Sequence, residues 1–490
     1  MKRRNTLIGL AVSLLMIIGM VPAAAHETGT LGDDSDRLKG RTYTGVLSDV
    51  SPGGVPYEAM SDIRCEDGMA GIFPCHKVDL ASFIPLPDLE ATFINDVWGW
   101  TDPVSGMQLA IAGTFQGTAF VDVTDGINPV YLGTLPTPTD PNDIGNIWGD
   151  IRVYEDTAYI VSEALDFGTF DPTSDEIAGF GIQIVDLTQF HGATGPIEIA
   201  EANRLDDIAQ AHNVALNVES GRMYVAGSFA GLDNDCAISN PVLPVLNGSG
   251  GSIIYDVATD PLNPTVIGCL DDAAYNHDVQ CVTYHGPDTR YTDSEICIGS
   301  NESHLAIYDA TDAANPVVLA RAEYLDLPFF DPDRGVPNYY THQGWLTEDH
   351  AYFFLGDELD EFFGPAEERS TYLWDMADLE NPEVIGVHTD GNTSIDHNMF
   401  VHDNLLYQSN YSSGLWIYDT WKVEQGRMTS RGYFDIFPAN DVTDFFGTWG
   451  NYPYFGDGKV VVTSSDEGLF VLQSRAKSAA NNNRKRIGGR

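Results

Sequence analysis

Four histidines stand in matching settings: Ala211-His212-Asn213-Val214, Asn276-His277-Asp278-Val279, Thr341-His342-Gln343-Gly344 and Asp396-His397-Asn398-Met399. Each lies in a polar cluster that opens an apolar run, and the clusters return roughly every 50 to 70 residues, as in repeat architectures. Three more clusters carry a tryptophan near that place: Trp98, Trp148 and Trp449. A second series of apolar runs ends in polar residues: Glu163, Ser228, Asn301-Glu302, Asp357-Glu358, Asn410 and Ser465-Asp466-Glu467. Imidazole and carboxylate together are ligand types for Zn, Cu, Mn or Fe, and outer carboxylates can orient the rings. The candidate ligands of one transition metal are therefore His212, His277, His342, His397, Glu163, Glu302 and Glu358. A plainer meaning competes: repeats copy polar residues, and a His beside Asn or Asp can satisfy turn backbone. No catalytic residue is singled out, because G-x-S-x-G, H-E-x-x-H, P-loop and dinucleotide motifs are all absent. The acidic stretch Asp357-Glu358-Leu359-Asp360-Glu361 reads as a solvated loop.

The elements that must position these groups are short strands. One series ends in Asp: Phe120-Val121-Asp122, Ile184-Val185-Asp186, Ile254-Tyr255-Asp256, Ile307-Tyr308-Asp309, Leu373-Trp374-Asp375 and Ile417-Tyr418-Asp419. A seventh copy, Gly468 to Leu472, lacks the Asp. Asn-Pro follows four copies, at Asn128-Pro129, Asn263-Pro264, Asn315-Pro316 and Asn381-Pro382, and starts a turn. With the run before each Asp strand, the run opened by each cluster, and the stretch after Asn-Pro, each unit holds four strands. Seven such units predict an all-β chain folded as a single β-propeller of seven four-stranded blades. An open β-solenoid is the competing fold, and imperfect copies leave six or eight blades as alternatives. In a propeller the cluster precedes the innermost strand of its blade. Matching positions then face one axis, and the four imidazoles converge at one channel mouth. Antiparallel order brings the polar ends of the second strands to that mouth. The tryptophans read as packing and channel plugs.

The Asp-ended strands resemble LVIVD repeats. The order Cys65-Glu66-Asp67-Gly68-Met69-Ala70-Gly71, Asn95-Asp96-Val97-Trp98-Gly99-Trp100, Ala211-His212-Asn213, His277-Asp278-Val279-Gln280-Cys281, Thr341-His342-Gln343-Gly344-Trp345-Leu346 and Asp396-His397-Asn398 is similar to the choice-of-anchor B family of exported bacterial proteins. The likeness runs from about Cys65 to Leu472. It implies an extracellular or cell-surface propeller and brings no reaction with it. The C-terminus departs from anchored members: it is basic and polar, with Arg484-Lys485-Arg486 and no apolar tail.

Lys2, Arg3 and Arg4, the apolar run Leu7 to Met20, and Pro22-Ala23-Ala24-Ala25 read as a signal peptide over 1–25. A loosely ordered lead-in is expected over 26–62, the propeller over 63–473 and a disordered basic tail over 474–490. No transmembrane segment is expected in the mature chain. The formal charge is −47, from 25 Lys+Arg against 72 Asp+Glu. Such a surface repels nucleic acid and anionic membranes, and it suits a salty habitat. Six cysteines in an exported chain point to disulfides. Cys65-Cys75 closes a short loop, Cys281-Cys297 joins two neighbouring strands, and Cys236-Cys269 pair by elimination. Two functions compete. One is a binding or structural role at the cell exterior, toward a protein or glycan. The other is a metal-dependent oxidoreductase or hydrolase using the His/carboxylate ring.

Overall fold

A computed structural model describes residues 57–141, 143–164, 179–230, 251–270, 275–331 and 336–479. Seven antiparallel sheets follow one another around a ring, each containing a blade of four strands in up-and-down order, with extra strands added to the outside of two of them. Blade 1 is Ile94–Thr101, Gln108–Thr114, Gly117–Asp122 and Val130–Pro136; blade 2 is Gly149–Tyr154, Thr157–Ser162, Ile182–Asp186 and Asn203–Leu205. Blade 3 is Asn213–Asn217, Arg222–Ala226, Ser252–Asp256 and Thr265–Leu270; blade 4 is Asp278–Thr283, Glu295–Ser300, Leu305–Asp309 and Val317–Ala322. Blade 5 is Thr341–Leu346, Tyr352–Asp357, Thr371–Asp375 and Glu383–His388; blade 6 is Met399–His402, Leu405–Ser409, Leu415–Asp419 and Thr429–Phe434. The expected seven-bladed propeller is the observed fold.

Blade 7 is built from both ends of the chain. Its inner strands are Thr448–Tyr452, Lys459–Ser464 and Gly468–Ser474, and its outer strand is Val78–Pro85, paired with Gly468–Ser474. Closing the ring this way removes the two open edges that a linear array would expose. The strand Met60–Ile63 adds to the outside of Val78–Pro85, so order begins within the lead-in expected over 26–62. At the other end, Ser478 Oγ and Ala479 N both donate to Asp419, so residues 474–479 pack rather than trail. The signal segment, residues 26–56 and residues 480–490 lie outside the described residues.

The repeated Asp has a local cause. Asp122 accepts from the backbone of Thr124, Asp186 from Thr188, Asp309 from Thr311 and Asp375 from Ala377. Each carboxylate thus closes an Asx turn as its strand ends. The Asn before each Pro is held likewise: Asn128 Nδ2 donates to Asp125, and Asn315 Nδ2 to Asp312. That turn packs on the preceding blade: a Cβ added to Gly268 would lie 1.6 Å from the Ala313 carbonyl, so only glycine fits.

Seven apolar cores fill the seven spaces between neighbouring blades. Between blades 7 and 1 lie Val461, Leu469 and Val471 against Ala110, Ala112 and Val121. Between blades 4 and 5 lie Ile296, Ile298 and Ile307 against Phe353, Leu355 and Trp374. Burial of each such side chain contributes about 1.5–3 kcal/mol, and no blade could bury both faces alone. Cys65–Cys75 and Cys281–Cys297 are disulfides, the latter between directly opposed residues of blade 4. Cys236 lies outside the described residues. Among the described residues no helix is long and apolar enough to cross a membrane.

Candidate functional site

The histidines of blades 3 to 6 meet at one channel mouth. Three of them are held at the start of the innermost strand by a backbone bond to the end of the second strand. His212 N donates to Ala226 O, His277 N to Ser300 O, and His397 N to Ser409 O. His342 sits at a register shift between Thr341 and Gln343, where a bulge re-aims the side chain. Ring centroids follow in a row: 4.1 Å from His212 to His277, 4.4 Å to His342, and 4.7 Å to His397. The expected carboxylates arrive from the second strands. Glu163, Glu302 and Glu358 line the same cavity as the four imidazoles.

These seven groups do not act as one set. One ligand atom each from His277, His342 and Glu358 lies within 4.8 Å of the others. His342 Nε2 is 3.5 Å from Glu358 Oε2, and His397 Nε2 is 3.8 Å from Glu358 Oε1. His212 is turned aside, its Nδ1 2.7 Å from Glu163 Oε1. Glu302 accepts from the Tyr340 hydroxyl at 3.0 Å.

Tautomers follow from the partners. His277 Nδ1 lies 3.0 Å from the His342 carbonyl, and His397 Nδ1 lies 2.7 Å from the Trp449 carbonyl. A carbonyl only accepts, so both Nδ1 atoms carry the hydrogen and both Nε2 atoms keep a lone pair. The fully buried Nδ1 of His342 has no hydrogen-bond partner. Burial and neighbouring imidazoles hold His277 and His342 well below the usual histidine range. Burial pulls His397 down to about 3. His212 goes the other way: burial lowers it, but the Glu163 carboxylate outweighs that and raises it. Burial pushes Glu358 up to about 7 against the Tyr411 hydrogen bond. Glu302 likewise rises to about 7. The three innermost rings are therefore neutral donors around one carboxyl.

Three tyrosines complete the site and were not among the expected residues. Tyr411 donates to Glu358 Oε1 at 2.5 Å and Tyr340 to Glu302, while Tyr275 lines the cavity together with Glu163. Tyr275-Asn276-His277 and Tyr340-Thr341-His342 share a Tyr-x-His spacing, a signal present in the sequence. Tyr411 follows Asn410 at the end of a second strand and has no such marker. Trp148 and Trp449 line the mouth as expected, within an aromatic collar that includes Phe93, Phe115 and Phe445. Trp98 does not line it. It packs on Tyr452, Tyr454 and Phe400 and lies 4.2 Å from the Arg152 guanidinium. Along the strand, Trp98 follows Asp96, which lines the cavity, whereas Trp148 precedes Gly149 and Asp150, which line it. The acidic stretch is also buried rather than solvated. Asp357 and Asp360 are 0% exposed, with Asp357 Oδ1 accepting from the backbone of Tyr340, Leu359 and Asp360. Those bonds fix the turn that aims Glu358 into the channel.

The cavity volume is about 60 Å³. At roughly 10–15 Å³ per water, that is room for an ion and a few waters. The arrangement can hold a dication on two imidazoles and one carboxylate, with proton-bearing groups beside it.

No protein-family model matches this sequence, and no curated protein does. Solved structures similar to it include a protein from Lactobacillus plantarum, 13% identical over 76% of this chain and 88% of that one, TM-score 0.42. The Cps50 (Swd1) β-propeller domain of Myceliophteria thermophila is 9% identical over 81% of this chain and 99% of that one, TM-score 0.45. A functionally unknown protein from Desulfotomaculum acetoxidans is 9% identical over 72% and 87%, TM-score 0.42. The propeller assignment rests on the strand pairing and ring closure of this chain, not on these likenesses.

Proposed function

We propose that this chain is an exported LVIVD-type propeller of the choice-of-anchor B kind that holds a first-row transition-metal dication on His277, His342 and Glu358. The observation carrying this reading is the approach of three ligand atoms to within 4.8 Å in a buried place. No lysine or arginine is among the described residues lining that cavity. Two imidazoles and a carboxylate with open positions suit Zn, Fe or Mn, and Cu is the further candidate. Such an ion supplies Lewis acidity or redox chemistry. The His212–Glu163 and Glu302–Tyr340 pairs line the same cavity and can exchange protons with a bound molecule. That is the basis for reading the site as enzymatic, an oxidoreductase or hydrolase acting on something small. A protein or glycan partner at the cell exterior would use the loop faces.

Export is supported by the basic start, the apolar run and the small residues ending at Ala25, and by two disulfides, which persist in oxidising compartments. The deciding experiment is elemental analysis of protein purified without chelators or an affinity tag. One ion per chain is expected, lost in the His277→Ala/His342→Ala double variant. A natural chain that carries no metal, and takes up none on dialysis against Zn2+, Fe2+, Mn2+ or Cu2+, would defeat the reading.

A further inference from the structure

Glu358 has two oxygens, and the structure treats them differently. Oε1 accepts from the Tyr411 hydroxyl at 2.5 Å, while Oε2 is the atom facing His342 Nε2 at 3.5 Å. Tyr411 is placed by an unusual backbone. Its φ of 39° is left-handed, a conformation that an aromatic residue adopts only when its surroundings impose it. The imposing contacts are visible. Tyr411 N donates to Thr448 O and Thr448 N to Tyr411 O, tying the residue to the first strand of blade 7. Gly447 makes room: a Cβ there would lie 2.7 Å from the Tyr411 carbonyl. The ring lies 4.5 Å from that of His397 and edge-on to Trp449.

We propose that Tyr411 is the positioning and specificity residue of the channel-mouth site, resting on the metal reading above. Its hydroxyl occupies Oε1 and presents Glu358 to the ion through Oε2 alone. One-oxygen binding suits a small ion with imidazole ligands. Calcium prefers six to eight oxygens and often takes a carboxylate through both. Tyr411 therefore selects transition metals over Ca2+ by denying the second oxygen.

The test is Co2+ titration of the metal-free full chain, followed in the visible spectrum, with Ca2+ as competitor. Tyr411→Phe keeps the ring and its packing and removes only the hydroxyl. Its Co2+ affinity falls about 10–100-fold, the usual loss when an outer-shell partner is removed. Its Co2+ bands shift and Ca2+ competes more strongly, while metal-free unfolding stays close to that of the natural chain. Tyr255→Phe removes a comparable hydroxyl from Asp207, outside the cavity, and leaves Co2+ affinity and spectrum unchanged. Equal Co2+ affinity, spectrum and Ca2+ competition in Tyr411→Phe and the natural chain overturn the role of Tyr411 and leave the metal reading intact. Equal losses in both Phe variants overturn it as well. A natural chain that binds no Co2+ overturns both.

Discussion

The channel has two polar regions, and the same repeat builds them with opposite results. Around Arg152, the carboxylates of Asp150 and Asp96 contact a buried guanidinium, and Asp278 acts on its charge. Trp98 covers its face and Asn213 Nδ2 donates to Asp278. Here the protein supplies its own cation. At the histidine mouth, neutral rings surround Glu358 with no lysine or arginine among the described lining residues. The first region is a finished ion network. The second has lone pairs and one carboxyl converging on a space that another atom can fill. Burial alone does not separate a structural cluster from a binding site; the presence or absence of an internal counter-ion does.

Removing that counter-ion is the most severe way to break the contrast. Arg152→Met keeps the stem of the side chain but leaves Asp96 and Asp150 facing each other. Loss of one partner from a buried ion network costs about 3–5 kcal/mol, and urea unfolding of the metal-free chain should register that loss. A cost under about 1 kcal/mol would mean that the Arg152 region is not held by charge pairing. At the mouth the effect should run through the ligand. Saturating the natural chain with a dication at about 100 times its dissociation constant stabilises it by about 2.7 kcal/mol. The same dication should leave the His277→Ala/His342→Ala chain unshifted. A shift of equal size in both chains would place the ion elsewhere on this acidic surface.

The sequence displayed the ring more fully than the site. Asp122, Asp186, Asp256, Asp309, Asp375 and Asp419 mark blades because an Asx turn needs that side chain wherever a third strand ends. The outer strand of blade 7 carried no such mark. Val78–Pro85 pairs with Gly468–Ser474 across nearly the whole chain, and nothing local to either segment encodes a partner so distant. His212, His277, His342 and His397 were legible because a repeat carries equivalent positions to one axis. Which of them share a ligand space was not. That depends on Glu163 drawing His212 aside, and on Asp357 folding its own turn so that Glu358 points inward. Tyr411 was silent for a related reason: its role comes from one left-handed residue set against Thr448, outside the repeated pattern.

The smallest effect tests whether the Arg152 region is finished in its protons as well as its charges. Burial raises Asp96 well above the usual carboxylate range, and the charge and hydrogen bond of Asp150 add to this, against the pull of Arg152. Folded Asp96 therefore keeps a proton at pH values where the unfolded chain has lost it, from about pH 4 upward. Folding then binds a proton, so raising the pH through that window removes stability from the natural chain. Asp96→Asn carries a permanent donor in place of that proton and cannot titrate. Its Nδ2 can hydrogen-bond Asp150 as a protonated carboxyl would. The difference in Tm between the two metal-free chains should move steadily in favour of Asp96→Asn as pH rises from about 4 toward 8. Parallel pH curves for the two chains would show that Asp96 is ionised in the fold. Arg152 would then sit among carboxylates it does not neutralise, and the Arg152 region would lose the self-sufficiency that sets it apart from the mouth.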